Sequence, residues 1–272
     1  MIGRTIKLFI SLIYYACQMV KTKMGSVLGK QRLGGSVVLE YHSVKANQIN
    51  KFASQMDELE RIGIAVSADL GSTFGDNKHR VAVTFDDGFK SVVDHALPIM
   101  AERRIPATIF VTTGYLGKRP EWITNPRHSN FDEVIVSKEE IEKLRFDLVR
   151  IGSHCVNHRN LSNSNCDEAV VELLQSKRAL ECIIGKPVYL LSFPYGGYND
   201  QILGLAKKLG YKQVFMNVPV SKKLAQDGYV TGRINVTLDD WLLEFRLKAL
   251  GAYQWLVFGM KAKQRLMGLF GS

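Results

Sequence analysis

Cysteine is scarce in this chain of 272 residues: there are four, Cys17, Cys155, Cys166 and Cys182, with no CxxC pair among them. Their spacing gives no disulfide framework and fits a reducing compartment; Cys166 and Cys182 are expected to be small core residues. Proline is sparse, at seven. Low-complexity tracts and internal repeats are missing, which excludes disorder over most of the length. No apolar run reaches the roughly 20 residues that a membrane-spanning helix needs. The longest candidate, 6–20 (IKLFISLIYYACQMV), is short and interrupted, with Arg4 before it and Lys21 and Lys23 after it. No A-x-A cleavage site follows, so it is read as an uncleaved interfacial helix, with an uncleaved signal anchor as the alternative. Nucleic-acid-binding motifs are also absent, although the formal net charge is +10.

The positive charge is unevenly placed. Lys21, Lys23, Lys30 and Arg32 gather near one end, and Lys248, Lys261, Lys263 and Arg265 near the other, in both cases among aromatic and aliphatic residues. That mixture suits a membrane surface better than a nucleic-acid groove. The expected organisation is an apolar, basic segment over 1–30, a central domain over 31–240 and a basic amphipathic helical tail over 241–272. Peripheral membrane contact is expected through both ends, in a bacterial-type cell, at a membrane or its cytoplasmic face, with export through the uncleaved segment left open.

Short apolar runs alternate with stretches of helical spacing in the central part. Strands are expected at 36–41, 80–85, 107–112, 148–153, 188–192, 213–216 and 230–234, and helices at 51–62, 92–104, 167–184 and 200–209. Ser137 with Glu140 three residues on forms a capping box that opens another helix. Such alternation implies a parallel sheet. Polar residues recur just past the strands: His42, Asp86-Asp87, His154, Pro194-Tyr195. A β/α barrel gathers such positions on one face, so an α/β barrel is expected rather than an open sheet.

Two segments carry chemistry. In Thr84-Phe85-Asp86-Asp87-Gly88 adjacent carboxylates leave a strand end in different directions, so one can ligate a metal while the other lies beside water. The competing reading is an ordinary Asp-Gly turn. In His154-Cys155-Val156-Asn157-His158 two imidazoles four apart can reach one ion if the segment makes one helical turn, against the alternative of two unrelated surface histidines. Asp87 with both histidines makes one oxygen and two nitrogen ligands, with room left for water and substrate.

On these residues the chain resembles the polysaccharide deacetylases, which share the NodB homology domain (carbohydrate esterase family 4). TFDDG stands complete at 84–88; the H-[ST]-x-x-H motif stands at 154–158 with Cys155 in the Ser/Thr place; a Pro-aromatic-Gly turn stands at Pro194-Tyr195-Gly196. The resemblance covers roughly 36–236 and implies a distorted (β/α)7 barrel. It also implies a hydrolase that removes N-acetyl groups from a glycan of N-acetylated sugars. In that reading Asp86 is the general base, and Asp87, His154 and His158 hold one divalent metal ion, with zinc first and cobalt, nickel or iron also suited to the ligands. The Tyr195 N–H faces the oxyanion, and Pro194 and Arg233 belong to the substrate side.

The sequence departs from the family in two places. Ser192 stands where many relatives carry an arginine that orients the base, and no histidine follows His158. Leu39-Glu40-Tyr41-His42-Ser43-Val44 resembles the early Tyr-His segment of the poly-N-acetylglucosamine deacetylases, which makes His42 the candidate general acid; the other reading is a strand-end histidine held by hydrogen bonds. Arg233 either supplies the missing arginine by pairing with a site carboxylate or is an ordinary surface residue. Asp94, His79, His95 and His128 are read as structural or exposed, and Trp122 and Trp241 as core or sugar-lining. Two other functions stay open: a scaffold that keeps the fold without the catalysis, and a deacetylase of a lipid-linked sugar.

Overall fold

The computed structural model describes residues 2–27, 35–70, 78–221 and 223–259; Lys30, Arg32, Lys261, Lys263 and Arg265 lie outside the described residues. The strands are β1 (Ser36–Tyr41), β2 (Ile64–Ala65), β3 (Arg80–Phe85), β4 (Ala107–Val111), β5 (Val149–Ser153), β6 (Leu190–Ser192), β7 (Gln213–Met216), β8 (Val230–Gly232) and β9 (Ile234–Asn235). All pair in parallel, in the order β8-β7-β6-β5-β4-β3-β1-β9, with β2 beside β3.

The expected strand at 230–234 breaks at Arg233. Its first half bonds β7 and its second half bonds β1, so one short segment reaches both edges of the sheet. The result is a nearly closed barrel, and closure removes exposed edges.

Side chains alternate across a strand, so residues two apart share a face. Val38, Ala82, Phe110, Leu190 and Phe215 form a buried cluster of their own, separate from the main core; this is the apolar floor inside the barrel. Gly152 makes room for it, since a Cβ there would lie 2.5 Å from the Phe110 ring. Two residues further along the same strands come Glu40, Thr84, Ser192 and His154, and two further again on β1 and β3 come His42 and Asp86. The polar residues therefore stack above the floor, toward the carboxyl ends of the strands.

The main core lies between the barrel and its helices. In α2 (Ile49–Ile62), Phe52, Met56 and Leu59 are buried at helical spacing. The helix expected at 92–104 is a wide π-turn, Val92–Ala96, followed by α3 (Leu97–Glu102). In α4 (Lys138–Glu142) the Ser137/Glu140 capping box forms in both directions. The helix expected at 167–184 is α5 (Cys166–Val170), a π-turn over Val171–Gln175, and α6 (Ser176–Ile184). α7 (Asp200–Lys208) then leads into β7. Cys166 and Cys182, expected in the core, are exposed; Cys155 is the buried cysteine.

Both ends of the described chain pack on the barrel. In α8 (Leu242–Ala249), Phe245 and Leu247 are buried, but so are Glu244 and Lys248, while Leu242 and Leu243 are exposed. The buried charges are paired: Arg4 Nε lies 2.6 Å from Glu244 and Lys248 Nζ 2.7 Å from Asp240; the amphipathic tail expected over 241–272 runs on into 260–272, outside the described residues. Helix α1 (Ile2–Val27) lies against this end of the chain through Arg4 and a Trp255–Ser11 hydrogen bond of 2.9 Å. No described helix is long and apolar enough to cross a membrane.

Candidate functional site

The carboxylate pair is set by the turn that ends β3. Asp86 continues the inward face of the strand. Asp87 then takes φ 70° and Gly88 φ 80°, both left-handed, so the two carboxylates diverge. Gly88 is tightly placed, since a Cβ would meet the Val111 backbone at 3.1 Å. Among the described residues five other than glycine have positive φ, and four of them (Asp87, Cys155, His158 and Tyr195) belong to this site. Strain of this kind persists only where the surroundings enforce it.

The two histidines meet without the helical turn expected from their spacing. Residues 154–158 form an irregular loop with Cys155 at φ 65° and His158 at φ 53°. Glu172, in the π-turn between α5 and α6, holds it: its buried carboxylate accepts from Val156 N (2.9 Å), Asn157 N (2.8 Å) and Asn157 Nδ2 (2.7 Å). The loop thus depends on a wide turn far along the chain. His154 Nδ1 lies 2.8 Å from Ser192 O, so it carries the proton and leaves Nε2 free as a ligand atom. Burial pushes His154 down to about 4, partly opposed by Asp86, so the ring is neutral at pH 7.

Asp87, His154 and His158 offer ligand atoms that all lie within 4.8 Å of one another. Asp87 Oδ1 is 3.1 Å from His158 Nε2 and 3.5 Å from His154 Nε2. It is nonetheless a buried oxygen with no aligned hydrogen bond, and His158 Nδ1 is likewise without a partner. A buried carboxylate oxygen left unmatched between two imidazoles is costly in the metal-free protein. A divalent cation would satisfy it, and one oxygen with two nitrogens is a donor set such an ion accepts. Burial alone would raise Asp87, but the His158 contact and the nearby His42 and His154 override it and hold the carboxyl below its usual range.

Asp86 is held by Arg233. The guanidinium is fully buried and sits over the Phe110 ring at 5.3 Å, inside the barrel. Each of its N–H groups has an acceptor: Nε to Met216 O (3.2 Å), Nη1 to Thr84 Oγ1 (3.1 Å) and Asp86 Oδ1 (2.6 Å), Nη2 to Asp86 Oδ2 (2.6 Å) and Ser192 Oγ (2.8 Å). Burial would raise Asp86, but the two-pronged guanidinium, helped by His154, holds it well below the usual carboxylate range. Ser192, the place of the family arginine, donates to the same carboxylate at 3.1 Å. Of the two readings of Arg233, pairing with a site carboxylate is the one observed. Its assignment to substrate is corrected, because the side chain is sealed beneath the cavity floor.

Above these groups opens a cavity of about 490 Å³, lined by Asp86, Asp87, both histidines, His42 and Glu40, with Tyr195, Trp122 and a loop over 123–130 as walls. His42 lies with Asp86 and Glu40 in a second group whose ligand-type atoms are within 4.8 Å of each other. Tyr195, with φ 59°, is exposed at the rim, its ring edge-on to His158 at 4.7 Å. Pro194 is buried at the start of that turn and does not reach the cavity lining. Trp122 lies flat on His158, 4.2 Å away at 15°. Trp241 is exposed on the barrel flank under Arg4. His128, read as structural or exposed, is at the rim and accepts from Asn130 N at 3.1 Å.

Sequence reasoning missed Glu40, Glu172, Asn217 and Asn235. Glu40, Asn217 and Asn235 were findable, since each stands at or just past the end of a strand; Glu172, in mid-helix, gave no such signal.

A family model described as polysaccharide deacetylase matches residues 75–214. The chain belongs to the polysaccharide deacetylase family. It is 30% identical over 147 residues to the poly-β-1,6-N-acetyl-D-glucosamine N-deacetylase of Staphylococcus aureus, covering 51% of this chain and 48% of that protein. The chain spans about half the length of the curated relatives it matches. Among solved structures, IcaB from Ammonifex degensii superposes with a TM-score of 0.66 at 23% identity, over 82% of this chain and 98% of that one. The Streptococcus pyogenes deacetylase PplD in complex with acetate gives 0.64 at 20%, over 79% and 98%. These likenesses agree with the barrel fold expected from the motifs.

Proposed function

We propose that this polysaccharide deacetylase family member is a metal-dependent hydrolase that removes N-acetyl groups from a glycan of N-acetylated sugars. The observation that carries the reading is the convergence of Asp87, His154 and His158 beside an Asp86 that Arg233 locks in place. A divalent ion held by the three ligands, zinc by preference, would polarise the amide carbonyl and acidify a water. Asp86, ionised and aimed into the cavity, accepts the proton of the attacking water. His42 delivers a proton to the leaving amine. The Tyr195 N–H, on the left-handed turn at the cavity rim, donates to the oxyanion. Similarity to the poly-β-1,6-N-acetyl-D-glucosamine N-deacetylase supports a polymer of N-acetylglucosamine as substrate. The pairing of Arg233 with Asp86 weakens one of the two supports of the scaffold alternative, the arginine missing at Ser192.

Acetate release from N-acetylglucosamine oligomers, measured alongside metal content, tests this. Asp86→Asn should abolish release with the metal retained, and Asp87→Ala should lose the metal. Full activity in either variant refutes the assignment.

We also propose that the protein works at an anionic bilayer surface. Helix α1 has no acidic residue. Its exposed Ile6, Phe9, Ile10, Ile13, Val20 and Met24 form one stripe flanked by the exposed Lys7, Lys21 and Lys23. Pairing this face with a second copy would oppose like charges without a counter-charge, whereas an anionic headgroup layer complements them. Sedimentation with phosphatidylglycerol vesicles should bind the wild type and lose the variant Ile6→Ser/Ile10→Ser/Ile13→Ser. Equal binding by both rejects this face.

A further inference from the structure

Inside the barrel, one guanidinium faces two carboxyl groups. Glu40 is 2% exposed, on the inward face of β1. Its Oε1 lies 3.6 Å from Arg233 Nη2, while its Oε2 is buried with no partner. Asp86 already takes both prongs of Arg233 at 2.6 Å. The groups facing Glu40 are Arg233 from between β8 and β9, Asp86 from the end of β3, and His42 from the end of its own strand. With Arg233 neutralised by Asp86, a second negative charge here would be buried without a counter-ion, which proteins avoid by protonation. A metal shared by Glu40, His42 and Asp86 fits poorly, because the guanidinium already contacts two of the three.

We propose that Glu40 is a positioning residue of the hydrolytic site: as a neutral acid it donates a hydrogen bond to Asp86 and, with Arg233 and Ser192, fixes the base at the mouth of the barrel. This rests on the deacetylase reading for its role in turnover. Burial raises Glu40 to about 7, with Arg233 opposing and Asp86 adding to the rise. Loss of its proton would set its carboxylate against Asp86 in competition for one guanidinium and loosen the Asp86–Arg233 fork.

The experiment uses the full chain loaded with zinc and compares wild type, Glu40→Gln and Glu40→Ala. The first readout is independent of activity: the infrared carbonyl stretch of a protonated carboxylic acid, assigned by isotopic labelling of glutamate. It should be present at pH 6, fade as pH rises through about 7, and be missing in both variants. The second is the pH profile of acetate release from N-acetylglucosamine oligomers. Wild-type kcat should fall on the alkaline side. Glu40→Gln, which keeps a neutral donor, should move that limb, leaving the fall that the general acid His42 itself imposes. Glu40→Ala should lower kcat on the order of 10–100-fold, as for other groups that orient a functional side chain, with little change in KM. An acid band absent from wild type at pH 6, an alkaline limb left unmoved by Glu40→Gln, or a change confined to KM would each overturn the proposal. A wild type that shows the band but releases no acetate supports the carboxyl pairing and refutes the deacetylase reading.

Discussion

Replacing Arg233 with methionine isolates the central electrostatic contact. Methionine reaches about as far as Nε of the arginine, so removal of Cζ and both Nη atoms also leaves a small buried cavity. What changes is that five N–H groups disappear and the Asp86 carboxylate, 3% exposed, loses its counter-charge. Removing one partner of a buried, hydrogen-bonded ion pair costs about 3–5 kcal/mol. For a chain of this size that lowers Tm by roughly 6–20 °C, at about 2–4 °C per kcal/mol. The loss should shrink as pH falls. Without the guanidinium, burial raises the folded-state pKa of Asp86 above its unfolded value. The folded state then binds the extra proton, and acidification stabilises the variant until the unfolded carboxyl titrates as well. Adding Asp86→Asn should recover part of the stability, because the uncompensated charge is gone, while catalysis stays absent. Asp86→Asn alone should be milder than Arg233→Met, since Glu40 lies 3.6 Å from the guanidinium and can ionise in its place. Urea unfolding and scanning calorimetry between pH 5 and 8 measure all four proteins. A loss below about 0.5 kcal/mol in Arg233→Met, the size of an ordinary surface substitution, would refute the buried fork.

Two further outcomes follow from the same interior. Glu40 moves from its ordinary 4.5 to about 7 on folding, so wild type loses stability as pH rises through that window. Relative to wild type, Glu40→Gln should gain about 3 kcal/mol between those limits, at about 1.4 kcal/mol per pH unit; a pH-independent difference in urea unfolding would contradict it. Glu172→Gln swaps a carboxylate that accepts three N–H groups for an amide that must turn one donor toward them. Metal affinity should weaken on the order of 10–100-fold, read by competition with a chelator, and an unchanged affinity would show that the histidine loop holds its shape by itself.

Much of this arrangement was legible along the chain. The alternation of apolar strands and helical segments reports burial on both sheet faces, a local signal that fixes the fold class and puts Asp86, Asp87 and His154 at strand ends. The Ser137 cap likewise depends on neighbours three residues apart. Partnership across the barrel was not legible. Arg233 meets Asp86 only because the last strand breaks at that residue and joins both edges, a condition of closure that no local pattern carries. His158 reaches His154 through a left-handed loop held by Glu172, where sequence spacing pointed to a helical turn. The proton on Glu40 is set by a count of charges inside one closed space. A sequence specifies which groups are available and which way each strand faces; burial and distance between remote residues decide what those groups become.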